Sequence, residues 1–114
     1  KMFKVGDIVR LNDCFEGIQE FESIGTLGVV VIRDCTGKEN DYDYGVCFPY
    51  MEEELHDLDE NLPENTGYWV REKVIGPVSL AVAEGFKHKI RRDDIDYLFD
   101  LIGKAVQLEL DLSI

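Results

Sequence analysis

Along several short stretches of the chain, apolar and polar residues alternate with the period of two that marks a half-buried β-strand. Phe3 and Val5 flank Lys4, a Gly6-Asp7 turn follows, and the pattern resumes as Ile8-Val9-Arg10-Leu11. Residues 25–33 (GTLGVVVIR) are dense in β-branched side chains and predict a largely buried strand, with Gly25 and Gly28 as positions for a bend or bulge. Residues 41–48 set Tyr42, Tyr44, Val46 and Phe48 against Asp41, Asp43, Gly45 and Cys47, and Pro49 ends the run. Tyr68-Trp69-Val70 predicts a short strand, and Val74-Ile75 another that closes the set. Gly76-Pro77 then reads as a boundary.

The pattern changes beyond Pro77. In residues 78–86 (VSLAVAEGF), Val78, Leu80 and Val82 fall on one face of a strand. The basic cluster Lys87-His88-Lys89-Ile90-Arg91-Arg92 comes next. Ile95, Leu98, Phe99 and Ile102 then recur at helical spacing, which predicts an amphipathic helix with Asp93 as N-cap and Gly103 near its end. Residues 106–114 (VQLELDLSI) alternate strictly and predict a half-buried strand, for which residues 78–82 are the nearest partner.

These elements predict a mainly β protein: a small SH3-like barrel over residues 1–76 and a C-terminal strand-helix-strand extension over 77–114, packed on the barrel or in a dimer. The stretches KVGDIVRL, GTLGVVVI, YGVCF, LHDL and GYWV, spread from Phe3 to Ile75, resemble small SH3-like barrels of phage and bacterial proteins. More distantly they are similar to the mind-bomb/HERC2-type repeat, which also places an Asp-Leu near the end of its barrel. The resemblance implies a fold more than a function, because such barrels bind peptides, proteins or nucleic acids according to their loops.

A chain of 114 residues can bury roughly two thirds of its unfolded surface and needs neither disulfide nor metal to fold. Cys14, Cys35 and Cys47 are odd in number and lack any CxxC spacing. That favours free thiols in a reducing, cytoplasmic setting, which is a host cytoplasm for a phage protein. No signal peptide or membrane-length apolar run is read. Cys35, Cys47 and His56 match no zinc spacing, the acidic loop lacks EF-hand order, and no cofactor fingerprint is present.

Charge alters the picture most. The formal net charge is −12, and between Asp34 and Glu64 eleven acidic residues face the single base Lys38. Such a field repels nucleic acid and attracts basic proteins. Within it, residues 52–70 (EEELHDLDENLPENTGYWV) form an acidic loop running into an aromatic strand. The candidate partner-binding residues are Glu52, Glu53, Glu54, Asp57, Asp59, Glu60, Asp41, Asp43, Tyr68 and Trp69. The two aromatics suit the walls of a peptide groove, but packing of at least one of them in the core is the favoured reading. His56-Asp57 has the composition of an acid-base pair, but no nucleophile accompanies it and no GxSxG, P-loop or HExxH motif occurs. The expectation is a non-enzymatic acidic module that binds a basic protein. Its sharper form is a phage-type, anti-CRISPR-like inhibitor that mimics DNA or RNA and blocks a nucleic-acid-binding enzyme. The alternative is an assembly domain whose C-terminal strand makes a homodimer. In either case the basic cluster 87–92 serves electrostatic pairing with the acidic helix or with a neighbouring subunit.

Overall fold

The computed structural model describes residues 2–13, 23–33, 42–51, 55, 57–58, 62–63 and 65–103. Strands β1 (Ile8–Leu11), β2 (Leu27–Arg33), β3 (Tyr44–Cys47), β4 (Gly67–Val70) and β5 (Ile75–Pro77) form one antiparallel sheet in the order β4-β3-β2-β1-β5. The sheet is not closed: β4 and β5 are its edges. A 3-10 turn, Glu72–Val74, links those two edges. Gly6 takes a positive φ of 95° in the turn before β1, and its N–H donates to Val30 O at 2.7 Å, tying the turn to β2.

Both faces of the sheet are buried. One cluster gathers Phe3, Val9, Leu11, Val30, Tyr44, Val46, Phe48, Val70, Val74 and Ile75. Val70 and Ile75 belong to opposite edge strands, which in a flat five-stranded sheet would stand about 19 Å apart. Their packing in one cluster means that the sheet curls around it. The second cluster takes the alternate positions Ile8, Val29, Val31 and Cys47 on the outer face and covers them with helical residues. The register slips between Val30 and Ile32, so Val31 and Ile32 both serve the outer cluster despite being neighbours. Thus the irregularity in β2 lies at a valine. Gly28 has another purpose: a Cβ there would come within 2.6 Å of Val46 Cγ1 and 2.9 Å of Cys47 O, so it lets β3 pass close by.

Residues 78–86 form no strand. Helix α1 (Leu80–Arg92) occupies this stretch, with the Ser79 hydroxyl accepting from Val82 N–H at 3.2 Å as N-cap. The alternation of Val78, Leu80 and Val82 is misleading, since Leu80 and Val82 are 78% and 45% exposed. The effective period is helical: Ala83, Phe86 and Ile90 meet the outer face of the sheet. Gly76 pairs with Arg10 and Pro77 with Val9 inside the sheet, so the expected boundary dipeptide is the last stretch of the sheet before α1. Pro77 is tolerated because β5 is an edge strand.

The expected amphipathic helix is present as α2 over 96–103. Leu98 is fully buried in the outer cluster, and Ile95, Phe99 and Ile102 pack around it. Asp93, however, ends α1 instead of starting α2. Asp94 N–H donates to Arg91 O and Ile95 N–H to Ile90 O, with Asp94 left-handed at φ 55°. This is a Schellman closure with aspartate where glycine usually stands. The strand expected over 106–114 lies outside the described residues.

Candidate functional site

The acidic segment is held to the sheet by leucines. Leu55 joins the inner cluster, while Leu58 and Leu62 join the outer one. Leu62 N–H donates to Asp57 O at 2.9 Å. Leu58 adopts a left-handed φ of 50° and is completely buried. Its side chain fills hollows over two glycines: a Cβ on Gly67 would approach Leu58 Cγ to 2.6 Å, and one on Gly45 would approach Leu58 Cδ1 to 3.2 Å. The acids around these leucines dominate the stretch and mask them in the sequence. No local pattern marks them, because Leu58 is left-handed and the three leucines divide between the two clusters.

Of the expected site residues, Glu52, Glu53, Glu54, Asp59, Glu60 and Asp41 lie outside the described residues, as does His56. Asp57 is described and half-buried beside Leu58. Tyr68 and Trp69 are both half-buried but face opposite sides of the sheet, as neighbours on a strand must. Tyr68 packs against the inner cluster and Trp69 against the outer one. They therefore do not line one groove. Trp69 lies across Gly45, where a Cβ would meet its Cζ3 at 2.9 Å, on the face that Leu58 shares.

The Asp43 carboxylate has a structural task. Its Oδ2 accepts from Glu72 N–H at 2.8 Å and so fixes the start of the 3-10 turn. Glu72 Oε1 in turn accepts from the Tyr44 hydroxyl at 2.8 Å and from Met2 N–H at 2.6 Å. The Tyr44 hydroxyl accepts from Phe3 N–H at 3.1 Å. Burial, more than the nearby Glu72 carboxylate, raises the Tyr44 pKa above its ordinary value. This network ties the first residues of the chain to the link between the sheet edges.

The basic cluster is paired locally. Lys87 meets Glu84 at 3.6 Å and Arg92 meets Asp93 at 3.8 Å. Lys89 Nζ sits 4.0 Å above the Tyr50 ring, and the Arg91 guanidinium 5.4 Å above Phe99 of α2. Arg91 thus reaches α2 through an aromatic face. Tyr50 also donates to Asp93 Oδ2 at 2.8 Å and meets Phe86 edge-on at 5.9 Å. Burial first, then Asp93, pushes its hydroxyl up to about 12.

Cys47 is a buried, unpaired thiol beside the hydroxyls of Tyr97 and Thr66, and burial pushes it up to about 12. Cys14 and Cys35 lie outside the described residues. Among the described residues no group of histidine, cysteine and carboxylate side chains is arranged to hold a metal ion, and no helix is long and apolar enough to cross a membrane. Comparison with protein-family models, with curated proteins and with solved structures finds no match to this chain.

Proposed function

We propose that this protein is a non-enzymatic, acidic protein-binding module on an open SH3-like barrel, and that it occupies the nucleic-acid-binding surface of a basic protein by imitating nucleic-acid charge. The observation that carries this reading is the segment from Asp34 to Glu64, with eleven acids against one base, fastened to a curled sheet by Leu55, Leu58 and Leu62. Anchoring through these leucines matters because a segment tied to a folded sheet has less conformational entropy left to lose on binding than a free tail does. The barrel assignment is supported by a strand order with β1 between β2 and β5, by the 3-10 turn between β4 and β5, and by the slip that bends β2. Resemblance in size and charge to small acidic phage inhibitors supports the inhibitory form.

The test is capture of basic nucleic-acid-binding enzymes on the immobilised protein, eluted with rising salt and competed with duplex DNA. Capture that DNA competes away and that fails in the combined variant E52Q/E53Q/E54Q/D57N/D59N/E60Q supports the proposal. Capture indifferent to salt, or undiminished in the variant, contradicts it.

A further inference from the structure

Thr26 and Leu27, Tyr50, and Gly85, Phe86 and Lys89 of α1 enclose an open groove of about 370 Å³. Its position and chemistry differ from those of the acidic segment. The walls are apolar: Phe86 is buried, and Leu27 and Tyr50 are half-buried. Gly85 opens the α1 side, since a Cβ built there meets nothing within 4 Å. Val82, at 45% exposure, continues the apolar surface one turn earlier along the same helix face. Lys89 stands at the other end, exposed, with its ammonium resting on an aromatic ring instead of a carboxylate. One turn further on, Arg92 shares its only described acid, Asp93, with the Tyr50 hydroxyl. In a chain of net charge −12, these cations stand out beside an apolar depression.

We infer that this groove docks an acidic peptide segment of another protein. An apolar side chain enters over Gly85 between Leu27 and Phe86, and flanking carboxylates meet Lys89 and Arg92. Charge complementarity favours this occupant. A basic segment would meet Lys87, Lys89, Arg91 and Arg92 within six residues of α1. A nucleic acid, with a charge on every phosphate, would bring far more negative charge into the field of the whole chain than a short segment with two or three carboxylates does. Lys89 exchanges its hold on Tyr50 for a carboxylate, so docking uncovers the ring face for the incoming apolar group.

Apart from Tyr50, the inference rests on residues outside the segment from Asp34 to Glu64, and no acidic side chain of that segment enters it, so it stands or falls separately from the proposed function. The probe is a blocked pentapeptide, Asp-Leu-Glu-Leu-Asp, titrated into the uniformly 15N-labelled protein at low ionic strength. The expected result is movement of the Thr26, Leu27, Gly85 and Lys89 amides, with an Asn/Gln analogue binding at least about threefold more weakly. G85L is expected to abolish these shifts while folding at least as well as the parent, because leucine replaces glycine at an exposed helical position. K89E is expected to abolish them as well, and E52Q/E53Q/E54Q/D57N/D59N/E60Q to retain them. No movement of these amides at millimolar peptide, equal binding of the neutral analogue, binding that survives G85L, or a preference for a single-stranded oligonucleotide at the same amides would overturn the inference.

Discussion

Replacing Leu58 by alanine tests how the acidic segment is attached. Leu58 is wholly buried, and its side chain occupies the hollows over both Gly45 and Gly67. Alanine cannot fill either hollow, and the rigid glycine backbones on two strands leave little room to collapse. Leu→Ala changes in such sites cost about 2–5 kcal/mol, and a value near the middle, about 3 kcal/mol, is expected. The left-handed backbone at Leu58 gives no relief, because alanine keeps the Cβ that makes that conformation costly. With an unfolding entropy of about 2.1 cal/mol/K per residue, 3 kcal/mol lowers the Tm of a domain of this size by about 12 °C. Trp69, the only tryptophan, lies across Gly45 on the face that Leu58 shares, so its fluorescence reports both thermal and urea unfolding. Leu58→Met serves as control and should cost less than about 1.5 kcal/mol. A Tm for L58A within about 3 °C of the parent would refute the claim that this leucine fastens the segment.

Three further outcomes are expected. Asp94→Gly removes a non-glycine residue from the left-handed position of the Schellman closure and an acid from the negative end of α1, so urea unfolding should show a gain of about 0.5–1 kcal/mol. Tyr44→Phe leaves Phe3 N–H and Glu72 without the hydroxyl that joins them, and a loss of about 1–3 kcal/mol in the same assay is the predicted cost. The Cys47 thiol should resist alkylation in the native state and react on unfolding. Its pKa is raised from 9.0 to about 12 in the fold, so the unfolded chain loses this proton first. Stability from this group is therefore unchanged below pH 9 and falls as pH climbs toward 12, by about 1 kcal/mol at pH 10, and Cys47→Ala should remove that share of the alkaline decline.

The strands were legible in the sequence because the large side chains of the inner cluster recur at every second position and the turns carry glycine and aspartate. Val9, Leu11, Tyr44 and Val46 follow that rule directly. Helix α1 was misread for a physical reason. Val78, Leu80 and Val82 imitate a strand, while the residues that decide the matter, Ser79 as cap and Phe86 and Ile90 as the buried stripe, are spread across a longer window that includes the basic cluster. Asp93 has the composition of an N-cap, and only the left-handed Asp94 beyond it reveals the end of the preceding helix. At the candidate site, net charge was visible but attachment was not. Nothing local marks Leu58 as the partner of Gly45 and Gly67, since that contact depends on a strand pairing formed across the sheet. A strand at Tyr68-Trp69-Val70 already implies that Tyr68 and Trp69 face apart, and each packs against a core cluster, in line with the favoured reading that at least one of them serves the core.

The most direct test of the central claim is the salt dependence of binding between this protein and a basic nucleic-acid-binding enzyme captured on it. Calorimetric affinities from 50 to about 300 mM NaCl would be compared for the parent and the variant with six acidic side chains neutralised. The account predicts that the parent's affinity falls steeply as salt rises, that duplex DNA competes, and that the variant binds at least about tenfold more weakly at low salt with a flattened slope. Equal affinities and equal slopes for the two proteins would contradict it.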